Sequence, residues 1–209
     1  NPSSYPEVWL DGLDLPLLAH PVGAPSFAYG IGIPADTTLA ICDAVPNMIG
    51  WKMTYNWEGW KRVGRALQTR QHPVTVLGAC ASLFHEAISC DLFDGTVTGS
   101  FCYAMEPMLE HIALLRSGRH QEALALWNSG LAGLQEWMYS EMSRLHIRYK
   151  AAAWLRGLVP HPYMRRPMPA PSQSEVDMLV RLMTKAGLQL IDDDLRVSLP
   201  PKPPLVAWA

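Results

Sequence analysis

The sequence predicts an α/β fold in its first half and a helical module in its second half. Short apolar runs typical of strands alternate with helical stretches over short connections, and these runs are residues 15–19, 48–52, 74–77 and 96–99. Such alternation is the pattern of parallel βαβ units. After Pro107 the apolar spacing becomes helical. We therefore divide the chain into a partial (β/α) barrel, residues 1–107, and a C-terminal helical domain, residues 108–209.

The connections of the first half follow in a regular order. Residues 20–34 are dense in Gly and Pro and predict a long loop over a strand end. Helical spacing lies between the strands, at residues 36–44, 57–71 and 82–90. Asp36 or Thr37 is a suitable N-cap for the first of these helices.

The second half predicts helices at residues 108–117, a long helical stretch from 120 to about 147, and helices at 149–155 and 174–186. Gly157 and Gly187 are suitable ends for the last two helices, since Gly readily adopts the left-handed conformation found there. Ser172 or Ser174 is a suitable N-cap for the last one. A proline-rich segment, residues 159–171, separates these two helices.

The composition is that of an ordinary globular protein. The 209 residues are 49% hydrophobic and 17% charged, with a net charge of −2. The near-neutral balance favours neither a nucleic-acid partner nor a membrane surface. No apolar run reaches the roughly 18 residues that a membrane span needs, and nothing indicates a secretory leader.

The cysteines and histidines predict no metal site. The four cysteines, Cys42, Cys80, Cys90 and Cys102, form no CxxC pair and stand in apolar contexts. We interpret them as buried free thiols of a reducing compartment, which favours a cytoplasmic location. The histidines show no metal-ligand spacing.

Lys52 is the strongest candidate for chemistry. It ends the apolar run of residues 47–52, and a polar turn follows. At the carboxyl end of a barrel strand, desolvation disfavours the ammonium ion and frees the amine for attack on a carbonyl. The alternative is a lysine whose stem packs while its head reaches water.

Four strands do not close a barrel, which takes about 250 residues when complete. The motifs nevertheless resemble, in the same order, the C-terminal part of the dihydrodipicolinate synthase / N-acetylneuraminate lyase family over residues 15–190. Residues 15–18, 47–52, 76–78 and 94–100 resemble barrel strands 5, 6, 7 and 8, and residues 149–153 with Gly157 resemble the K-A-A-x…G helix of the C-terminal domain. The resemblance thus implies a (β/α)8 TIM-barrel fold, of which only about strands 5–8 are present, plus a C-terminal helical domain.

Lys52 matches the family lysine of the N-x-x-G-x-K motif, which forms a Schiff base with pyruvate or a related 2-oxo acid. Residues 19–21, 105–107 and 160–164 are similar to segments of the hydratase-aldolase branch. The resemblance implies a class I lyase or aldolase without a cofactor, whose substrates are a small-molecule 2-oxo acid and an aldehyde. It also implies a homo-oligomer, either a dimer or a tetramer.

Two departures from the family pattern bear on the site. The family tyrosine that closes the fifth strand is replaced here by Leu18 or Ala19, so His20 and Tyr29 are the candidates for its proton-transfer role. The family's paired threonines, which bind the pyruvate carboxylate, lie on the third barrel strand, and that part of the family is absent from this chain. Backbone groups near Gly78, Val97 and Thr98 are the local candidates for binding the substrate carboxylate, although they also fit ordinary strand-end turns.

These departures leave a second hypothesis open. The chain is then a degenerate or truncated barrel relative that no longer catalyses and serves as a binding or interaction protein. Lys52 in its strand-end frame favours the enzyme, whereas the absent tyrosine and the absent first half favour the binding protein.

Overall fold

The computed structural model describes residues 15–22, 25–26, 30–191 and 199–201. They form two compact units. The first runs from residue 15 to 79 and adds residues 91–97, and the second contains residues 80–90 and 98–201. The domain boundary proposed after residue 107 stays a prediction.

The first unit is built on a parallel sheet of four strands. These are β1 (Leu17–Ala19), β4 (Met48–Met53), β5 (Thr75–Gly78) and β6 (Gly95–Thr96). They lie side by side in the order β1-β4-β5-β6. A separate antiparallel hairpin consists of β2 (Pro25–Ser26) and β3 (Gly30–Ile31). The unit also contains helices α1 (Ala35–Ala44) and α2 (Trp57–Gln68). The four predicted strands thus exist, parallel and in chain order.

One side of β4 packs into the core of this unit. Trp51 and Met53 are 1% and 0% exposed, and Trp60 of α2 is also fully buried. Gly78 of β5 allows Trp60 and Phe93 to approach closely, because a Cβ at residue 78 would lie 2.8 Å from the Trp60 ring. Helix α2 therefore packs against β5, and a Cβ at Gly64 of α2 would lie 3.7 Å from the side chain of Met53, which follows Lys52 on β4.

Several predicted boundaries in this unit are wrong. The N-cap of α1 is Pro34, whose carbonyl accepts the Thr38 amide, and Asp36 lies inside the first turn. Helix α2 ends at Gln68, three residues early, and the predicted loop of residues 20–34 contains the β2–β3 hairpin. Strand β6 ends at Thr96 because residues 99–102 turn into a 3-10 helix.

The second unit is helical. Its helices are α3 (Phe84–Ser89), α4 (Met105–Arg116), α5 (His120–Leu126), α6 (Ala132–Tyr139), α7 (Leu145–Leu155) and α8 (Gln173–Lys185). Short 3-10 turns occur at Ala81–Leu83 and Gly99–Cys102, and a π-helical turn, Trp127–Leu131, joins α5 to α6. Helix α4 begins before Pro107, which fits its first turn because that position needs no N–H donor.

The helix ends marked by Gly and Ser are confirmed. Gly157 and Gly187 have φ of +73° and +72° and follow α7 and α8. Ser172 caps α8 through a capping box with Glu175. The single helix expected from residue 120 to about 147 is wrong, since it breaks at the π-helical turn and again between Tyr139 and Leu145.

The expectation that all four cysteines are buried is also wrong. All are free thiols, with Cys42 buried and Cys80 half-buried, whereas Cys90 and Cys102 are exposed. Among the described residues, no helix combines the length and apolar character needed to cross a membrane.

Candidate active site

Lys52 occupies the penultimate position of β4, near the carboxyl end of the parallel sheet. Side chains alternate along a strand, and Trp51, Met53 and Tyr55 all lie on the buried side, each at most 2% exposed. Lys52 lies on the other side of the strand, half-buried and opposite Leu77 of β5. In a closed α/β barrel, this is the side that faces the interior.

The hydrogen bonding of Lys52 differs from that of the other half-buried lysines. Lys61 forms an ion pair with Glu58 at 2.6 Å, and the Lys150 ammonium donates to the Tyr163 carbonyl. Lys52 has neither a hydrogen bond nor an ion pair with any described residue. Its amine is thus held at a strand end without being tied to a protein acceptor, as a nucleophile requires.

His20 lies near Lys52, directly after the strand that pairs with β4. Ala19 of β1 is paired with Trp51, so the chain enters the following loop beside the lysine. Partial burial lowers the pKa of the His20 imidazole, and the positive charge of Lys52 lowers it further. The imidazole is therefore neutral near pH 7 and able to accept a proton.

Tyr29, the other candidate for the proton-transfer role of the family tyrosine, lies outside the described residues. Leu18, at the place of the family tyrosine, is 50% exposed, and its side chain lies over Gly50 of β4. Of the two proton-transfer candidates, the structure thus places His20 alone.

The predicted carboxylate-binding groups already have partners. The Gly78 carbonyl accepts the Val97 amide at 2.8 Å and the Thr96 hydroxyl at 2.9 Å, so the Val97 N–H stabilises the turn after β6. Thr98 belongs to the second unit, where its hydroxyl is hydrogen-bonded to the Tyr139 hydroxyl at 3.0 Å. A substrate carboxylate would have to displace these bonds.

Sequence reasoning missed Thr54. Its hydroxyl is buried and has no hydrogen-bond partner among the described residues. Buried polar groups are nearly always satisfied by protein, water or a ligand, so this hydroxyl is available to bind water or a small molecule. Side chains two residues apart on an extended chain share a side, so Thr54 accompanies Lys52. Counting by two from Lys52 was the signal that could have found it.

No metal centre is visible in the part of the chain that the structure describes, because no three His, Cys, Asp or Glu side chains gather there. The geometry available for chemistry is therefore an amine, an imidazole and a hydroxyl in the first unit. These groups can add to a carbonyl and move protons.

Comparison with solved structures defines the class of fold. No protein-family model matches the sequence, and no curated protein matches it. Among solved structures, a monomeric variant of dihydrodipicolinate synthase is 21% identical with a TM-score of 0.63, over 76% of this chain and 52% of that chain. The dihydrodipicolinate synthase from Thermotoga maritima is 20% identical with a TM-score of 0.63, over 74% of this chain and 51% of that chain.

A third neighbour was solved in complex with pyruvate. It is a prophage protein from E. coli K12 that belongs to the dihydrodipicolinic acid synthase family. It is 15% identical with a TM-score of 0.62, over 75% of this chain and 52% of that chain. The chain thus spans about half the length of the structures it matches, and its fold is part of a dihydrodipicolinate synthase-type TIM barrel. The fold expected from the sequence motifs is confirmed.

Proposed function

We propose that this chain carries the Schiff-base lysine of a class I lyase or aldolase that acts on pyruvate or a related 2-oxo acid. Lys52 is the nucleophile. The proposed substrates are a small-molecule 2-oxo acid and an aldehyde, without a cofactor. The four free cysteines fit the cytoplasmic location that the sequence predicts.

The environment of Lys52 carries this proposal. Lys52 is half-buried at the carboxyl end of a parallel strand and has no hydrogen bond or ion pair with any described residue. The imidazole of His20 lies close enough to interact with its charge. Catalytic groups of α/β barrels stand at this end of the strands. A lysine whose head is only solvated would be expected neither to be half-buried nor to have a histidine beside it.

The chemistry follows from an amine in this position. The Lys52 ammonium first gives up its proton, and its Nζ then attacks the ketone carbon of the oxo acid. The carbinolamine takes up a proton and loses water to form a protonated imine. The imine draws electrons from the adjacent carbon, which loses a proton and becomes an enamine. The enamine carbon then bonds to the aldehyde carbon, and water releases the product and restores the amine. The reverse sequence cleaves the same bond.

His20 and Thr54 take the proton-transfer and binding roles in this proposal. The neutral imidazole of His20 accepts the proton from the carbon adjacent to the imine. The hydroxyl of Thr54, which no described residue satisfies, hydrogen-bonds the substrate beside Lys52. The backbone around Gly78 and Val97 remains the proposed binding place for the carboxylate.

Reductive trapping tests the proposal. The protein is incubated with pyruvate and borohydride, and its intact mass is measured. We expect one reduced pyruvyl adduct in the wild type and none in Lys52→Met, while the control Lys150→Met keeps the adduct. If the wild type gives no adduct with any of several 2-oxo acids, the enzyme proposal fails.

The alternative is a non-catalytic barrel relative that acts as a binding or interaction protein. It is favoured by the edges of the sheet, since β1 and β6 each have one strand neighbour among the described residues. In a closed barrel both would pair with further strands, and unpaired edges tend to bind another chain. The proposed homo-oligomer, a dimer or tetramer, is compatible with either function.

A further inference from the structure

We propose that Tyr55 is a positioning residue that fastens the end of the β2–β3 hairpin beside Lys52 and so fixes one wall of the substrate site. The inference rests on the proposed imine chemistry for its functional part. Tyr55 does not touch the amine itself. It acts through residues 30–33 and through Trp51.

The Tyr55 hydroxyl joins two segments of the first unit. It accepts a hydrogen bond from the Ile33 amide at 3.2 Å and another from the indole Nε1 of Trp51 at 3.2 Å. Trp51 immediately precedes Lys52 on β4, and Tyr55 is 2% exposed. Without this hydroxyl the buried Trp51 indole and the half-buried Ile33 amide would both lose their acceptor, which makes the contact costly to break.

The ring of Tyr55 also packs closely against residues 30–33. Gly32 has φ of +146°, and a Cβ there would lie 1.9 Å from the Tyr55 ring, so glycine is required by both conformation and space. Gly30 forms an isolated antiparallel bridge with Tyr55. Ring, hydroxyl and backbone of one residue thus hold residues 30–33.

This contact determines where the loop after β1 ends. The loop leaves the sheet at Ala19, which is paired with Trp51, and it returns at Gly30, which is bridged to Tyr55. Its two described ends therefore lie beside residues 51 and 55, before and after Lys52 and Thr54 along the extended segment that continues β4. Residues 51 and 55 are about 13 Å apart along an extended chain, so each end lies within a few residues of the Lys52 backbone.

The test uses two variants that break the contact from opposite sides. Tyr55→Phe keeps the ring and removes the acceptor, whereas Gly32→Ala keeps the hydroxyl and drives the ring away. Tyr163→Phe is the matched control, because its buried hydroxyl contacts Pro200 in the second unit. Circular dichroism and thermal unfolding verify that each variant is folded.

Two measurements are made on each protein. Hydrogen exchange reports the Ile33 amide and the Trp51 indole, and borohydride trapping reports the pyruvate concentration that gives half-maximal adduct formation. In both variants we expect the Ile33 amide to exchange at least about tenfold faster, and the half-maximal concentration to rise by at least about tenfold with the final extent of adduct unchanged. The Tyr163→Phe control should match the wild type in both.

The outcomes separate this inference from the proposed function. Wild-type adduct formation with unchanged half-maximal concentrations in both variants overturns the positioning role and leaves the lysine chemistry intact. Unchanged Ile33 exchange overturns the fastening itself, whether or not pyruvate is trapped. Faster Ile33 exchange without any wild-type adduct upholds the fastening and overturns the proposed function, and with it the role in substrate binding.

Discussion

His20 shows how a single residue can combine two effects at the candidate site. Its pKa is lowered first by partial burial and then by the positive charge of Lys52. Both effects favour the neutral imidazole, which is the form that accepts a proton. Because its pKa lies below the ordinary value of about 6.5, the imidazole stops accepting protons only when the pH falls below that lowered pKa.

We expect His20→Ala to slow proton removal from the imine without abolishing imine formation. The measurement is the exchange of pyruvate methyl protons in deuterated buffer, followed by NMR. General-base catalysis is worth roughly 10²–10⁴-fold, so a loss in this range is expected for the variant. The exposed His72 provides the control as His72→Ala. Equal exchange rates in His20→Ala and the wild type contradict the role.

A pair of neighbouring histidines with lowered pKa values, His85 and His111, lies in the helical unit. His85 Nδ1 and His111 Nε2 are 2.9 Å apart, and His111 is fully buried against the rings of Phe84 and Trp127, which also stack on each other. Burial, and then the charge of His85, lower the pKa of His111 to about 4. Burial also lowers the pKa of His85. The pair is therefore neutral in the folded protein.

This pair should make stability depend on pH. Unfolded histidines take up protons near pH 6.5, whereas folded His111 does so near pH 4. The free energy of unfolding should therefore be undiminished above about pH 6.5 and fall on acidification toward pH 4, by on the order of 3 kcal/mol. Urea unfolding at several pH values measures it. The decrease should be smaller in His111→Phe and unchanged in His72→Ala, and an identical decrease in all three proteins contradicts the account.

At the scale of elements, local chemistry made some boundaries predictable. Ser172, Gly157 and Gly187 begin or end helices through bonds and backbone angles that depend on neighbouring residues alone. The sequence located both glycines and indicated Ser172 as one of two candidate caps. The break inside the predicted long helix was not predictable in this way. Gly130 stands at that break, and a Cβ there would lie 2.6 Å from the backbone of Ala186, which is remote in sequence.

We expect Gly130→Ala to destabilise the helical unit by about 1–3 kcal/mol, because the backbone at the end of α8 must move to admit the methyl group. Gly133→Ala is the matched control, since nothing lies within 4 Å of its Cβ position inside α6. The control should be stabilising by up to about 1 kcal/mol, since alanine favours a helix. Chemical denaturation measures both. Equal effects of the two substitutions contradict the packing argument.

For the whole molecule, the order of elements could be predicted because alternating strands and helices leave few parallel arrangements. Lys52 could be found because a lysine ending an apolar run is unusual and because a family motif surrounds it. Thr54 could have been found only by counting by two from Lys52 along an extended chain. Tyr55 could not be found, since its contacts depend on the loop that returns to this segment from a distant part of the sequence.

The central claim is that Lys52, and no other amine, condenses with an oxo acid. Peptide mapping after reductive trapping with pyruvate tests it most directly. We expect the adduct on Lys52, with loss of tryptic cleavage after that residue, and unmodified peptides containing Lys61, Lys150, Lys185 and Lys202. An adduct spread over several lysines, or a Lys52 that stays unmodified while another amine reacts, contradicts it.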